Sequence, residues 1–410
     1  MCDYTNVLKN NERNSIMETK QKTINTLLNK VPEVTIFFWI IKVLCTTVGE
    51  TFADFLNFNV GLGLGLTTVL MGIAFFISLF FQFKAKKYVP SIYWITVVLI
   101  SVFGTLVTDN LTDAIGVPLE TSTIVFSALL ALTFLFWFLS EKTLSIHSIF
   151  TRKREIFYWL AILFTFALGT AVGDLYSEQL GLGYFKTGVT VIVIILCVFL
   201  AWKFLKLDGM LGFWIAYILT RPLGASLGDY LSQPKVNGGL GLGTTSTSII
   251  FLIAILAIIV FLAVTKIDIS LYIERIDENR SKNNIMKQTI LALCIFLAVG
   301  IGGYIKLSSN VASTETTLSG QLTDFATIEN KMLSDVNAKN FNLAKKDADN
   351  LEHQWDTSEA KLRKIDSTSW TKIDGTIDVV LAAARTSTPD VNQCKTAINH
   401  SLNVINTANK

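Results

Sequence analysis

The sequence predicts an all-α integral membrane protein: an eight-helix body of four tandem two-helix repeats (duplicated four-helix halves), a ninth transmembrane helix, and a small helical domain beyond it. Three observations carry this. The 410 residues are 51% hydrophobic and 16% charged, against about 25% charged in an average soluble domain. The apolar residues lie in stretches of about 20, the length needed to cross ~30 Å of hydrocarbon at ~1.5 Å per residue. And one spaced motif, Trp followed ten residues later by Gly and five after that by Asp, recurs four times.

Breakers between the apolar runs mark spans at 34–56, 62–83, 91–112, 121–140, 156–178, 184–205, 210–231, 244–265 and 288–307. They are helices, because a lone strand cannot satisfy its backbone in lipid. Residues 1–33 are polar and lack the apolar core of a signal peptide, so they are expected to form an N-terminal segment ahead of the 34–265 body. The N-terminal segment and the connections 84–90, 141–155, 203–209 and 266–287 carry 19 Lys and Arg, whereas the alternate connections carry or adjoin only Lys186 and Lys235. The positive-inside rule then places the N-terminus and the 266–287 linker in the cytoplasm and the C-terminus outside. With no organelle signal visible, a bacterial plasma membrane is the expected location.

After Tyr304 the composition turns to Asn, Asp, Lys, Ser and Thr, with apolar residues at helical spacing: Ala344, Ala348, Leu351, Trp355 and Leu362, then Ile377, Val380 and Leu381. Residues 308–410 are expected to form three or four amphipathic helices in an extracytoplasmic bundle, the last beginning near Pro389.

The repeated triplets are Trp39, Gly49, Asp54; Trp94, Gly104, Asp109; Trp159, Gly169, Asp174; and Trp214, Gly224, Asp229, in the strings GETFAD, GTLVTD, GTAVGD and GASLGD. The first and third lie 120 residues apart, as do the second and fourth, which fits a duplicated four-helix half. Fifteen residues span ~22 Å of helix, placing the tryptophans near the inner interface as an aromatic belt and the aspartates toward the outer ends. The glycines are expected where helices pack closely. GLGLG at 61–65 and GLG at 181–183 lack the Lys-Ser/Thr of a phosphate loop and read as tight turns. Pro118 and Pro234 follow the second and fourth aspartates.

Carboxylates dominate the candidate chemistry. Glu50 and Asp54, Asp109 and Asp113, and Asp174 and Glu178 are i, i+4 pairs, with Asp229 facing Gln233. Acids at membrane depth are costly and usually face a water-filled path or a cation. Lys42 and Arg221 are the expected counter-charges, Arg221 toward Asp229. Lys42 could equally serve as a titrating or substrate-displaced counterion. With hydroxyls such as Thr46, Thr47, Thr108 and Thr170, the set offers hard oxygen ligands suited to Mg²⁺, Ca²⁺, Mn²⁺, Na⁺ or a proton. No span contains histidine.

A net charge of +3 argues against nucleic acid as a partner. Cysteines 2, 45, 197, 294 and 394 form no CxxC pair. No Ser/His/Asp set, HExxH or nucleotide motif appears, so an enzyme is not expected and no cofactor is implied beyond a divalent cation as substrate.

The string KVPEVTIFFWIIKVLCTTVGETFADFL at 30–56, with GTAVGD and RPLGASLGDYLSQP later, resembles a bacterial multi-pass family whose members are described as membrane-anchored proteins predicted to regulate amylopullulanase. The resemblance runs over residues 30–265 and implies a regulatory role without supplying binding residues. Two functions are therefore expected. One is a secondary transporter of a hard cation, with proton-coupled export of a divalent ion such as manganese as its sharpest form. The alternative is a membrane-anchored sensor, scaffold or regulator acting through a protein partner of the 308–410 domain.

Overall fold

The computed structural model describes residues 29–233, 235, 238–269, 287–289, 291, 295, 298, 300–306, 317–386 and 388–410. The N-terminal segment to residue 28, Cys2, Pro234, the 270–286 part of the linker, Cys294 and much of the expected ninth span lie outside these residues. Among them there are helices and no strands. Eight helices are long and apolar enough to cross a membrane, and the chain is a multi-pass membrane protein.

The eight are α1 (Ile36–Asp54), α2 (Leu64–Lys84), α3 (Pro90–Asp109), α4 (Leu119–Glu141), α5 (Arg152–Asp174), α6 (Tyr184–Phe204), α7 (Gly209–Ser232) and α8 (Thr244–Thr265). Local chemistry starts the odd ones. Thr35 caps α1 by accepting from the Phe38 N–H, Thr151 does the same for Arg154 in α5, and Asp208 accepts from Met210 and Leu211 in α7. In α3, Pro90 occupies the first turn, where its missing N–H costs nothing. Three even helices start directly after a glycine in the left-handed region, with φ of 74° at Gly63, 79° at Gly183 and 78° at Gly243. Only glycine takes that conformation without strain, so these runs are tight turns.

The odd helices α1, α3, α5 and α7 form a closed ring, each packing on the next and α7 returning to α1. The even helices lie outside the ring, one repeat ahead: α2 packs on α3, α4 on α5, α6 on α7 and α8 on α1. Half or more of each odd helix is buried, against about a quarter or less of each even one. Ile73, Phe76, Phe80, Ile253 and Val260 stand exposed on the even helices, the surface that lipid covers.

The four motif glycines make the ring possible. A Cβ at Gly49 would lie 2.8 Å from the Ser101 Cβ, one at Gly104 2.7 Å from the Phe166 Cβ, one at Gly169 2.6 Å from the Arg221 Cβ, and one at Gly224 against Thr46. Ser101, Phe166, Arg221 and Thr46 each stand three residues before the glycine of their own helix. One contact is thus used four times around the ring, and close backbone approach replaces the hydrophobic drive that is absent between helices in lipid.

Three of the four motif tryptophans are not free to stand as interfacial anchors, while Trp39 is half-buried. Trp94, Trp159 and Trp214 are buried in the ring, within an aromatic cluster that also holds Phe38, Tyr93, Trp137, Tyr158 and Tyr217. Trp94 Nε1 donates to the Tyr88 hydroxyl at 3.1 Å and Trp214 Nε1 to the Leu144 carbonyl at 3.0 Å. The expectation fails because the helices that carry the motif are the inner ones, so a ring that would face headgroups on an outer helix faces neighbouring helices here.

At the opposite end α1, α3 and α5 each run from their aspartate into a π-helical turn: Phe55–Asn59, Asn110–Ala114 and Leu175–Gln179. Their wide turns close through Val60 N to Phe55 O, Ile115 N to Asn110 O and Leu180 N to Leu175 O, at 2.9–3.0 Å. α7 has no such turn and carries Pro222 inside it.

Helices α9 (Thr323–Asn337), α10 (Phe341–Ile365), α11 (Ser367–Arg385) and α12 (Val391–Ala408) form a four-helix bundle with its own core, including Met332, Ala348, Leu351, Trp355, Ile377 and Ile398. Asp390, next to Pro389, caps α12. The bundle sits on the aspartate end of the body. α10 meets the π turn of α5, and α11 meets those of α1 and α3. Arg363 ties the two together by donating to the Thr112 and Val117 carbonyls at 3.3 and 3.1 Å. Residues 300–306 are helical, and the Gly300 carbonyl accepts from the Tyr176 hydroxyl at 2.7 Å.

Candidate functional site

Steps of four residues keep side chains on adjoining parts of one helix face, and in the ring they generate layers along its axis. One residue beyond the glycines stand Glu50, Thr105, Thr170 and Ala225. Arg221, fully buried, projects into this layer. It donates to Glu50 Oε2 at 2.6 Å, to Thr170 Oγ1 at 2.7 Å, to the Thr105 hydroxyl and to the Thr46 carbonyl at 3.1 Å. Three helices are thereby tied to the fourth through one guanidinium. Ala225, the small member of the layer, lies one turn past Arg221 on the same helix and leaves the guanidinium room.

Arg221 therefore pairs with Glu50 and not with Asp229. Eight residues of helix separate Arg221 from Asp229 by ~12 Å, whereas the ring brings α1 against α7 at the level of the guanidinium. Lys42 also departs from its expected role. Its Nζ lies 3.9 Å from the Phe166 ring centroid and 4.2 Å from that of Tyr217, and it forms no ion pair among the described residues. Its charge is met by aromatic faces.

Four residues beyond the Glu50 layer stand Asp54, Asp109, Asp174 and Asp229. Asp109 lies within electrostatic reach of Glu50, Asp54 and Asp113; Asp174 of Glu50, Asp109, Glu178 and Asp229; and Asp229 of Glu50, Asp54 and Glu178. The seven carboxylates thus converge on one end of the ring. Asp229 is only 5% exposed, and the other three aspartates are half-buried. None of the four carboxylates accepts a hydrogen bond or joins an ion pair with a described residue. Glu178, by contrast, accepts from the Tyr184 hydroxyl at 3.1 Å. Among the described residues no three His, Cys, Asp or Glu side chains are arranged to hold a metal ion, so the aspartates stand as separate carboxylates.

The bundle adds a second acidic tier. Glu352, Asp356 and Glu359 share a face of α10, and Asp374 and Asp378 share one of α11. Glu359 reaches Glu178 and Asp113, Glu352 reaches Asp54, and Asp378 reaches Asp113. Burial, reinforced by neighbouring carboxylates, pushes the acids of Asp356 and Asp374 well above the usual range and that of Asp378 up to about 7. Arg385 holds Glu352 and Asp349 at 2.6 and 2.7 Å, and Arg363 holds Glu359 at 2.8 Å. The i, i+4, i+7 acidic spacing in α10 is visible in the sequence. What it faces is not.

A repeat of unknown function, DUF347, matches the chain four times, at residues 37–88, 92–143, 157–207 and 212–268. Each match contains one Trp, Gly and Asp triplet with its outer helix. The match carries no activity and nothing about amylopullulanase. No curated protein and no solved structure matches the chain. Since the four matches together cover more than half of its length, the chain belongs to the DUF347 repeat family.

Proposed function

We propose that the chain is a secondary transporter of a hard cation, with the aspartate ring as its binding mouth and Arg221 as a tethered cation beneath it. The observation that carries this reading is the contrast between adjoining layers: Glu50 is neutralised by Arg221, while the four aspartates one turn away have no hydrogen-bond or ion-pair partner among the described residues. Unpartnered carboxylates at such depth are expensive, and protons or a cation relieve that cost. Both compete for the same oxygens, which is the basis of exchange. Proton-coupled movement of a divalent ion such as Mn²⁺ is the sharpest form of the reading. For an ion to pass further along the axis, Arg221 must leave Glu50, so the pair acts as a gate.

In this reading the tryptophan end is cytoplasmic and the bundle lies outside a bacterial plasma membrane. Cysteines placed at Gly63 or Gly183 should then label from outside, and one at Lys153 should not. Purified protein in liposomes with a pH-sensitive dye inside, challenged in turn with Mn²⁺, Mg²⁺, Ca²⁺, Na⁺ and K⁺, tests transport directly. Asp54→Asn and Asp229→Asn should abolish any ion-driven pH change. If no ion moves protons and none binds, the reading fails.

A second reading has its own support in the docking of the bundle on the mouth through Arg363. A domain placed there can report occupancy to a protein partner, as a sensor or regulator would. Deleting residues 317–410 separates the two: retained ion flux favours the transporter, and a lost phenotype with an intact body favours the regulator.

A further inference from the structure

The transporter reading supplies an acidic mouth but leaves protons no way past the aromatic half of the ring. One residue before each tryptophan stand Phe38, Tyr93, Tyr158 and Phe213. Phenylalanine at two of these equivalent positions shows that packing alone does not need a hydroxyl there. The two tyrosines are fully buried, and their hydroxyls meet at 2.5 Å. Each phenol can donate once and accept. Their mutual bond uses one proton and leaves the other free to point onward.

Polar groups continue in both directions. On the aspartate side, Tyr217 brings a third buried hydroxyl within electrostatic reach of Tyr93 and Tyr158, and its ring lies under the Lys42 ammonium. On the other side, the Tyr88 ring packs edge-on against Tyr93, centroids 5.7 Å apart. Tyr88 then donates to Asp268 Oδ2 at 2.5 Å while accepting from Trp94 Nε1. Asp268 is buried three residues beyond the end of α8, and its second oxygen has no partner among the described residues. Among the described residues the charged groups around it are few. Glu33, whose backbone N–H donates to the Asp268 carbonyl, is paired with His147 at 3.5 Å, and Lys30 is spent on Glu155 at 2.6 Å. Burial pushes the Asp268 acid upward, opposed by the bond from Tyr88.

We propose that Tyr88, Tyr93, Tyr158 and Tyr217 form a proton path through the aromatic half of the ring, joining Asp268 at its far end to Lys42 beneath Arg221. The inference rests on the transporter reading for its purpose, though not for its geometry. In one passage the Lys42 ammonium gives up a proton. Each phenol oxygen takes a proton from the side of Lys42 and releases its own toward Asp268, whose carboxylate accepts the last from Tyr88, the donor in the bond between them. Lys42 is left as amine and Asp268 as acid, every tyrosine is again neutral, and no electron moves. Release from Asp268 and reprotonation of Lys42 from the side of the carboxylates complete the cycle.

The test uses the full-length protein in liposomes with two readouts. Proton entry is driven by a potassium diffusion potential and followed by an internal dye. Cation-for-cation exchange at equal pH is followed with radioactive Mn²⁺ and Ca²⁺. The Tyr93→Phe, Tyr158→Phe double variant keeps ring packing, since Phe38 and Phe213 already fill equivalent positions. It should slow proton entry by at least about tenfold with exchange unchanged, and Asp268→Asn should do the same. Tyr230→Phe, at the other end of α7, should alter neither. Proton entry at the normal rate in both variants, or none in the unmodified protein, overturns the path. Loss of both readouts together in both variants also overturns it, in favour of a structural role. Exchange without proton entry leaves the transporter standing and removes the path. Proton entry without exchange of any ion does the reverse.

Discussion

The aspartate layer and the layers beneath it are built from the same four helices, yet one is uniform and the others are not. Asp54, Asp109, Asp174 and Asp229 are one residue type four times, as are the four glycines. Below them the equivalent positions read Glu, Thr, Thr, Ala, then Thr, Ser, Phe, Arg, then Lys, Val, Ile, Tyr. The difference follows from electrostatics. In the proposed transporter, a mouth open to cations gains from four identical acids. Four guanidinium groups on one axis, away from water, would repel by several kcal/mol per pair even at a generous effective dielectric constant. A single Arg221 can therefore serve all four helices only if the other three supply acceptors, and Glu50, Thr105 and Thr170 do so. Repetition builds the ring, and departures from repetition place its chemistry.

Removing the arginine tests that account most severely. Arg221→Met should destabilise the body by about 3–5 kcal/mol, because it strands Glu50 without a counter-charge. The Glu50→Gln, Arg221→Met double variant should recover much of the loss. Thermal unfolding in detergent for the two single variants and the double gives the coupling. Additive losses would mean that the pair does not hold the ring.

How much of this was legible in the sequence depends on whether a feature is local or belongs to the ring. The repeat, the eight spans and the packing role of the glycines are written as spacings along one chain and can be read there. Local rules also send Arg221 to Asp229, two turns away on its own helix, because nothing in the sequence says that α7 closes against α1. Trp94 reads as an interfacial anchor for a related reason: a lipid-facing and a helix-facing apolar surface have the same composition. The π turns after Asp54, Asp109 and Asp174 have no sequence signature comparable to a cap. The acidic face of α10 is plain as a pattern, but only docking gives it something to face.

The tryptophans allow the inner and outer helices to be compared directly. Trp94 on α3 is fully buried, whereas Trp202 on α6 is 50% exposed. Trp94→Ala should cost about 3 kcal/mol or more, and Trp202→Ala under about 1 kcal/mol, both read as unfolding midpoints. Equal costs would restore the interfacial belt. Next in size come the glycines. Gly104→Ala should cost about 1–3 kcal/mol by overpacking the contact with Phe166. Gly65→Ala, where a Cβ meets nothing within 4 Å, should cost a few tenths of a kcal/mol at most. A ring glycine that tolerates alanine as well as Gly65 would show that close approach is dispensable.

The smallest effect is expected where the two acidic tiers meet. With the bundle docked, burial and the charges of Asp113 and Glu352 hold the Asp378 acid up at about 7. Detached, it would return toward the ordinary 3.8. The docked form therefore binds more protons between those limits, so docking weakens as pH rises from about 4 to about 7, levels off above that, and strengthens again as pH falls. Asp356, Asp374 and Glu359 shift in the same direction. Arg363 donates to the Thr112 and Val117 carbonyls, which do not titrate, so it holds the bundle across this range and limits the change to a partial shift in population. Spin labels on cysteines at Ile115 and Thr368, in a protein without its native cysteines, would report the distance between mouth and bundle. The close distance should dominate at pH 5, broaden at pH 8, and return at pH 8 when a divalent cation takes the place of the protons. A distribution that is the same at both pH values would mean that the acids of the bundle do not sense those of the ring.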